Sequence, residues 1–214
     1  SHEFRDPSHG DARTRNGSSY QAIDRAFLWQ TVNEIEYNGV FGDNEHFISA
    51  LLRQSFSKNK SNFQSSYGEN VAAEGLYYVA SFNTNESAFG SFGDYKELGY
   101  LALANYSYKD KYVLDLSFRN DGSSRFASGY RFGNFYSVGA AWNISNENFL
   151  ADNDIVDDLK LRASFGQTGN NGIGNNQYQS LFGYGGAYDN NGAVSPSTFG
   201  NLIISWETAE LLDV

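Results

Sequence analysis

The fold class is decided by the stretch Tyr112–Arg119, which reads YVLDLSFR and alternates apolar with polar side chains. Every even position in it is apolar, and the odd positions include Asp115, Ser117 and Arg119. Side chains two residues apart lie on the same face of a β-strand. The stretch therefore predicts a strand with one apolar face and one polar face.

The same alternation recurs along the chain. It is clear in Tyr136–Ile144 and in Leu159–Gly166, and weaker in the windows 25–38, 45–56 and 97–108. These windows predict an all-β, antiparallel fold whose strands bury one face. One-sided burial fits a β-sandwich and a β-barrel equally well.

The lengths of the connections separate these two architectures. The predicted turns at 39–44 and 109–110 are short, whereas the predicted connections 57–96, 120–133 and 167–202 are long. Short turns alternating with long loops are typical of outer-membrane barrels, with the short turns on the periplasmic side and the long loops outside. A soluble domain seldom carries several long loops without structure. The connection 145–158 is the exception, and a short helix is expected in it at Asn146–Leu150.

Composition supports strands and excludes several kinds of partner. The 214 residues include 17 Phe, 15 Tyr and 22 Gly but only 2 Pro and no Cys, a bias toward strands and turns. The net charge of -10 and the scattered Lys and Arg residues argue against a nucleic-acid partner. No apolar run of about 18 residues is present, so no transmembrane helix is expected.

The ends of the sequence suggest a piece of a longer protein. The chain contains no Met, and Ser1–Phe4 has none of the features of a signal peptide. We expect residues 1–24 to be irregular and residues 25–214 to form part of a barrel, without a plug domain.

Five motifs resemble the SusC/RagA family of TonB-dependent outer-membrane transporters from Bacteroidetes-type bacteria. They are Asn105–Tyr112, Ser117–Phe126, Phe135–Trp142, Leu159–Asn170 and Asn201–Glu207. Ser117–Phe126 contains the family's Arg-x-Asp-Gly-Ser-Ser-Arg-Phe pattern, and Leu159–Asn170 is the most specific match. Tyr136, Leu202 and Ile204 depart from the pattern, standing where the family has Pro, Pro and Leu. The resemblance covers 95–214 well and 20–56 loosely.

The resemblance implies a fold and a function. The fold would be an antiparallel transmembrane β-barrel segment with long extracellular loops, about six or seven strands of a larger barrel of about 22 strands. The function would be nutrient import across the outer membrane of a Gram-negative bacterium, driven through TonB and served by a SusD-like surface lipoprotein. The cargo would be glycan or peptide fragments. Further partners would be outer-membrane lipid and the remaining segments of the same barrel. The chain would have no enzymatic activity and would bind no cofactor or metal.

Candidate site residues follow from the polar face. Asp115, Arg119 and Arg162 point away from the apolar side chains and would face the lumen, where they either pair structurally or contact substrate. The run Asp152, Asp154, Asp157 and Asp158 departs from the EF-hand spacing, so a solvated acidic turn is favoured over a calcium site. Asp121–Ser124 reads first as a turn and second as a ligand contact.

The sequence leaves undecided the role of three tyrosines and the choice among alternative functions. Tyr106, Tyr108 and Tyr112 flank a tight turn, where they form either an interfacial girdle or ordinary cross-strand pairs. Two other functions remain in view. One is a soluble β-sandwich that binds carbohydrate, and the other is a SusC-like barrel serving in a larger envelope complex.

Overall fold

Strands account for most of the chain in a computed structural model, which describes residues 1–8, 10–73, 75–150, 156–189 and 191–214. The strands are β1 (His2–Arg5), β2 (Ser18–Phe41), β3 (His46–Val71), β4 (Phe82–Tyr108), β5 (Tyr112–Ser123), β6 (Phe132–Asn143), β7 (Lys160–Asn170), β8 (Leu181–Tyr188), β9 (Asn191–Thr198) and β10 (Glu207–Asp213). The described helices are short 3₁₀ segments at Gly10–Arg15, Val79–Ser81, Ile144–Asn146 and Asn148–Leu150. No helix in the described part of the chain has the length and hydropathy needed to span a membrane.

The described chain divides into two units. The first contains residues 1–29 and 58–94, and the second contains residues 30–57 and 95–214. Strands β2, β3 and β4 contribute to both, because they are 24, 26 and 27 residues long. About 9–11 residues are enough for a strand to cross a bilayer, so each of these three strands is more than twice as long as a crossing requires.

The main sheet has the order β1-β2-β3-β4-β5-β6-β7-β10, and its strands from β2 onward contribute to the second unit. The pairs from β4 onward are antiparallel, and β8 and β9 form a separate antiparallel hairpin. Each strand pairs with its neighbour along the chain, apart from the inserted β8–β9 hairpin. This confirms the antiparallel all-β class. A sandwich would instead require two sheets packed face to face.

The two short turns predicted from the sequence are confirmed. Lys109 and Asp110 have φ angles of 53° and 51°, and the backbone N–H of Lys111 donates to the carbonyl of Tyr108 over 2.9 Å. Gly42, Asp43 and Asn44 also have positive φ. Left-handed backbone at consecutive positions reverses a strand within a few residues.

The predicted long loop 57–96 is wrong. Strand β3 continues to Val71 and strand β4 begins at Phe82, so residues 72–81 make the connection. The Ser- and Asn-rich sequence of these strand halves has little period-two alternation. Alternation marks a strand only where one of its faces is dry, and polar side chains on both faces conceal the strand.

The other long connections are also shorter than predicted. Strand β5 extends to Ser123, β6 begins at Phe132 and β7 extends to Asn170. The segment between β7 and β10 holds the β8–β9 hairpin. The short helix expected at Asn146–Leu150 is present as two adjoining 3₁₀ segments, Ile144–Asn146 and Asn148–Leu150.

The irregular structure expected for residues 1–24 is a further error. In the first unit β1 pairs antiparallel with the start of β2, and His2 lies opposite Gln21. Phe4 meets the ring of Tyr77 edge-on at 4.7 Å and lies beside Phe82, whose side chain is 2% exposed. This small core fixes β1, and four residues were too few to show a period in the sequence.

Candidate functional site

One face of the second unit's sheet is apolar. Leu116 lies opposite Ala104 on β4 and Val138 on β6, and Val138 lies opposite Phe165 on β7. The apolar face of β4 to β7 carries Ala102, Ala104, Tyr106, Leu114, Leu116, Phe118, Tyr136, Val138, Ala140, Leu161, Ala163 and Phe165. Leu114, Leu116 and Phe118 are 38–49% exposed. A contiguous exposed apolar surface of this kind marks contact with lipid or with another protein.

A row of rings bounds the apolar face at the end that carries the short turns. The ring centroids of Phe41 and His46 are 5.0 Å apart, those of His46 and Tyr108 are 4.7 Å apart, and those of Tyr108 and Tyr112 are 6.4 Å apart. Trp142 stacks on Tyr112 at 6.5 Å. The tyrosines are thus cross-strand pairs and members of one row that crosses five strands. Tyr106 joins the row through a 2.7 Å hydrogen bond between its hydroxyl and Nδ1 of His46.

A polar pair bounds the apolar face at its other end. Asn120 and Asn134 lie opposite each other just beyond Phe118, and the Asn120 amide donates to the Asn134 side-chain oxygen over 2.7 Å. The apolar part of β5 therefore runs from Tyr112 to Phe118, with Asn120 at its edge. From Tyr112 in the ring row to Asn120 at the edge, β5 covers nine residues, the lower end of the about 9–11 residues that a tilted strand needs to cross the hydrocarbon layer.

Glu147 anchors the ring row to the connection between β6 and β7. Its Oε1 accepts hydrogen bonds from the Tyr112 hydroxyl at 2.6 Å and from the Trp142 indole N–H at 3.1 Å. Its Oε2 accepts from Nζ of Lys111 at 2.9 Å. The bonds from Tyr112, Lys111 and Trp142, in that order of size, lower the pKa of Glu147 to about 2.

The opposite face of the same strands, the polar face, is mostly polar or small. It carries Glu97, Gly99, Asn105, Asp115, Ser117, Arg119, Asp121, Ser137, Gly139, Arg162 and Ser164, interrupted by Leu101, Leu103, Val113 and Phe135. The Ser117 and Ser137 hydroxyls are 2.6 Å apart in a cross-strand hydrogen bond. Such pairs satisfy polar groups within the sheet.

The structure separates the three sequence-predicted site residues. Asp115 accepts a hydrogen bond from Asn105, and Arg162 lies 3.7 Å from Asp213 with its side chain 73% exposed. Arg119 forms an ion pair with Asp121, with Nε to Oδ2 at 2.5 Å. All three are on the polar face, but only Arg119 lines the cleft described next. Their part in substrate binding stays a prediction.

A cleft of about 530 Å³ opens on the polar face of the second unit. Its polar lining includes Gln30, Ser55, Ser57, Glu97, Ser117, Arg119, Asp121, Gln167, Thr168 and Asn171, and its aromatic lining includes Phe135 and Trp206. The side chain of Asp121 is 14% exposed and that of Arg119 is 59% exposed. An exposed ion pair contributes little to stability, and a guanidinium has five donors. Arg119 therefore has donors available for a ligand.

Sequence reasoning missed Glu97, Asn171 and Trp206 in this cleft. Glu97 was within reach, because counting back in twos from Asn105 along β4 places it on the polar face. Its carboxylate accepts from the Asn171 amide at 2.9 Å and lies 3.5 Å from the Ser57 hydroxyl. Asn171 and Trp206 lie outside the strands, and alternation gives no signal there.

The motifs that carry the family resemblance meet at the cleft. Arg119 and Asp121 come from the motif Ser117–Phe126, Gln167–Gly169 come from Leu159–Asn170, and Trp206 comes from Asn201–Glu207.

The turn predicted at Asp121–Ser124 is wrong, because β5 continues through Ser123. A Cβ on Gly122 would lie 2.5 Å from the ring of Phe132, so this glycine makes room for a neighbouring strand.

An aromatic cluster forms one wall of the cleft. The ring centroid of Trp206 is 5.4 Å from that of Phe126 and also 5.4 Å from that of Phe135. Phe126 is fully buried, and the Trp206 indole N–H donates to the carbonyl of Arg131 over 2.9 Å. Trp206 is half-buried and has the hydrogen-bond partner that Trp side chains usually find. The cluster therefore holds Trp206 in a fixed position.

Metal binding receives no support from the described residues. Among them, no group of three or more His, Asp or Glu side chains could hold a metal ion. Asp152 and Asp154 of the acidic run lie outside the described residues. Asp158 instead accepts a hydrogen bond from the Ser145 hydroxyl at 3.2 Å.

The sheet of the second unit has one apolar face, which the ring row and the Asn120–Asn134 pair bound, and one polar face. This is the arrangement of a transmembrane β-barrel wall. Comparison with known proteins shows which receptors the chain is similar to. The chain is 32% identical over 192 residues to TonB-dependent receptor P26 of Formosa agariphila, covering 87% of this chain and 19% of that receptor. It is 37% identical over 108 residues to TonB-dependent receptor SusC of Bacteroides thetaiotaomicron, covering 50% of this chain and 10% of SusC. No family model matches the chain.

Comparison with solved structures agrees with the similarity found in sequence. The structure of the RagAB peptide transporter superposes with a TM-score of 0.86 at 26% identity, covering 97% of this chain and 23% of that chain. The RagAB peptide importer in its 'closed-closed' state gives 0.83 at 27% identity, with 92% and 22% covered. In sequence and in structure the chain is therefore similar to TonB-dependent receptors of the SusC/RagA family, as its motifs predicted. It spans about a fifth of the length of the curated relatives that it matches. These relatives are receptors and importers rather than enzymes, and the sandwich alternative is not favoured.

Proposed function

We propose that the protein containing this chain imports nutrients across the outer membrane of a Gram-negative bacterium. The division of the second unit's sheet into an apolar and a polar face carries this proposal, because it provides a lipid contact and a polar lumen lining in one wall. The similarity to SusC and to the RagAB importer supports it. The chain contributes wall and cleft, and transport requires no bond-breaking chemistry from it.

The barrel wall would extend over residues 25–214. Strand edges exposed to hydrocarbon leave backbone groups unpaired, at a cost of several kcal/mol each. Other segments of the same barrel would therefore pair with the free edges, and outer-membrane lipid would cover the apolar face. The names RagAB and SusC support a SusD-like surface lipoprotein as partner, and the receptor names support energy input through TonB.

Within the wall, Arg119 would contact the cargo, while Asp115 and Arg162 would serve structural pairs. Arg119 is the one of the three that lines the cleft. Its exposed guanidinium can donate to the carboxylate or carbonyl groups of a peptide, or to the hydroxyl groups of a glycan. The cargo class would thus be glycan or peptide fragments.

Growth on defined nutrients tests the proposal. A strain lacking the gene is compared with strains carrying the wild-type gene, Arg119→Ala or Arg162→Ala, each with an oligosaccharide mixture or a tryptic casein digest as the limiting nutrient. We expect the deletion to slow growth on one nutrient, Arg119→Ala to restore growth only in part, and Arg162→Ala to restore it fully. Equal growth of the deletion strain and the wild type on both nutrients would contradict import of these classes.

A further inference from the structure

The segment between β7 and β10, residues 171–206, is held at both of its ends near the cleft. We name residues 171–206 the strap, and it carries the β8–β9 hairpin. At the base of the hairpin, a Cβ on Gly200 would lie 2.4 Å from the carbonyl carbon of Gln179. The outgoing and returning chains therefore touch there, and only glycine permits this approach.

The first end of the strap is held by Arg125. Its Nη1 donates to the backbone carbonyl of Asn171 over 3.3 Å, and its Nε donates to the side-chain oxygen of Asn175 over 3.2 Å. The guanidinium carbon lies 4.1 Å from the centroid of the Tyr95 ring. One side chain thus joins the beginning of the strap to strand β4. Ser124 reinforces the connection, because its hydroxyl accepts from the backbone N–H of Lys96 over 2.8 Å.

The second end of the strap is held by Trp206. Its indole N–H donates to the carbonyl of Arg131, and its ring packs between Phe126 and Phe135. Arg125, Phe126 and Arg131 all belong to the β5–β6 connection and its borders. The same connection therefore fastens the strap at its start and at its end.

Both anchored ends contribute to the cleft. Asn171 and Trp206 line it, and the Asn171 amide donates to the carboxylate of Glu97 over 2.9 Å. We propose that Arg125 is a positioning residue that holds the strap against the cleft and thereby limits access to the cleft's polar lining. The proposal uses the second unit's wall from the proposed function, but it makes no use of import itself.

Arginine suits this position for geometric reasons. Its planar fork can donate to two acceptors while its face stacks on an aromatic ring. Lysine offers a single point charge and cannot reproduce both hydrogen bonds and the stacking together. Arg125→Lys should therefore release the strap in part, and Arg125→Ala should release it fully.

Thiol labelling of the full-length receptor in detergent tests the proposal. These 214 residues contain no Cys, and cysteines elsewhere in the receptor are replaced by Ser. Ser117→Cys places a reporter in the cleft, and Ser164→Cys places a control reporter on the polar face away from the cleft lining. The probe is a polyethylene-glycol maleimide, and the measurement is the labelling rate in otherwise wild-type, Arg125→Ala, Arg125→Lys and Arg162→Ala receptors.

We expect Arg125→Ala to raise the labelling rate at Ser117→Cys about fivefold or more, the factor that follows from losing one anchoring contact. Arg125→Lys should give an intermediate rate, while Arg162→Ala and the Ser164→Cys reporter should show no change. An unchanged rate at Ser117→Cys overturns the proposal. A parallel rise at both reporters also overturns it, because that indicates a loosened wall. If the wild-type receptor supports no import but Arg125→Ala still raises the labelling rate at Ser117→Cys, the proposed function is rejected and the role of Arg125 stands.

Discussion

The motif Leu159–Asn170 contains Gly169 because a side chain at this position would collide with a buried ring. A Cβ at position 169 would lie 2.0 Å from Cζ of Phe135, whose side chain is 5% exposed. The ring of Phe135 has Trp206 and Gly133 against it and has little room to move. Gly169→Ala should therefore destabilise the receptor by about 1–3 kcal/mol through overpacking.

Gly139→Ala is the matched control, because a Cβ there would lie an ordinary 3.6 Å from its nearest neighbour, Cβ of Asp115. We expect it to be neutral or slightly stabilising, since alanine has less freedom in the unfolded chain. Denaturant midpoints of the folded full-length receptor in detergent give the comparison. Equal midpoints for the two variants would show that Phe135 moves aside freely.

Glu147 should make stability depend on pH. Its folded-state pKa of about 2 lies below the ordinary value of 4.5. Folding is therefore favoured by the charged form, and this contribution is present above pH 4.5 and is lost as the pH falls toward 2. The difference in thermal midpoint between wild type and Glu147→Gln should be largest near neutral pH and should shrink through that window.

The control for Glu147 is Asp43→Asn, an exposed position in the β2–β3 turn. Asparagine tolerates the positive φ of 54° found there. Its difference from wild type should not follow the pH profile of Glu147→Gln. A Glu147→Gln difference that stays constant between pH 7 and pH 2 would mean that the carboxylate's charge has no part in holding Tyr112, Trp142 and Lys111.

Strand β5 allows the two faces of the sheet to be compared directly, because adjacent residues lie on opposite faces. Leu116 is on the apolar face, midway between the ring row and Asn120, whereas Ser117 lines the cleft. An arginine on the lipid face near the membrane midplane costs about 2–4 kcal/mol, and lumen positions are far more tolerant. We expect Leu116→Arg to lower receptor stability by that amount and Ser117→Arg to cost less than half as much, measured by unfolding in lipid vesicles. Equal costs would mean that the two faces do not meet different solvents.

How far the sequence predicted each element depended on the solvent at its two faces. Tyr112–Arg119 and Leu159–Gly166 were found because an apolar face and a polar face leave a period of two. The halves of β3 and β4 in the first unit were missed because Ser and Asn occupy both faces. Alternation reports a difference between faces, so a strand with two polar faces carries no such signal.

The cleft was predictable only where it is built from strands. Arg119 was identified by the period of β5, and Glu97 follows from the same period in β4. Asn171 and Trp206 reach the cleft through contacts that span 74 and 75 residues, to Glu97 and to Arg131. A single sequence contains no pairing information over such distances, so the strap and its anchors required the structure.

The exposed apolar face determines how the protein as a whole must be handled. Phe118 is 49% exposed and Leu161 is 55% exposed on the face between the ring row and the Asn120–Asn134 pair. Apolar area left in water costs about 25 cal/mol per Å², so this face requires lipid or detergent. We expect the full-length receptor to sediment with outer membranes through an alkaline wash and to enter solution only with detergent.

The behaviour of the isolated segment distinguishes two interpretations of this chain, a barrel wall and a self-contained binding module. Residues 1–214 expressed alone keep the apolar face and gain free strand edges at β1 and β10, and each favours association. We expect this segment to aggregate in water, while the full-length receptor in detergent unfolds cooperatively. A soluble sandwich would instead give a monomer with a cooperative melting transition by calorimetry and sedimentation. That single outcome would remove the lipid contact from the proposed function, since an apolar face that is stable in water needs no bilayer to cover it.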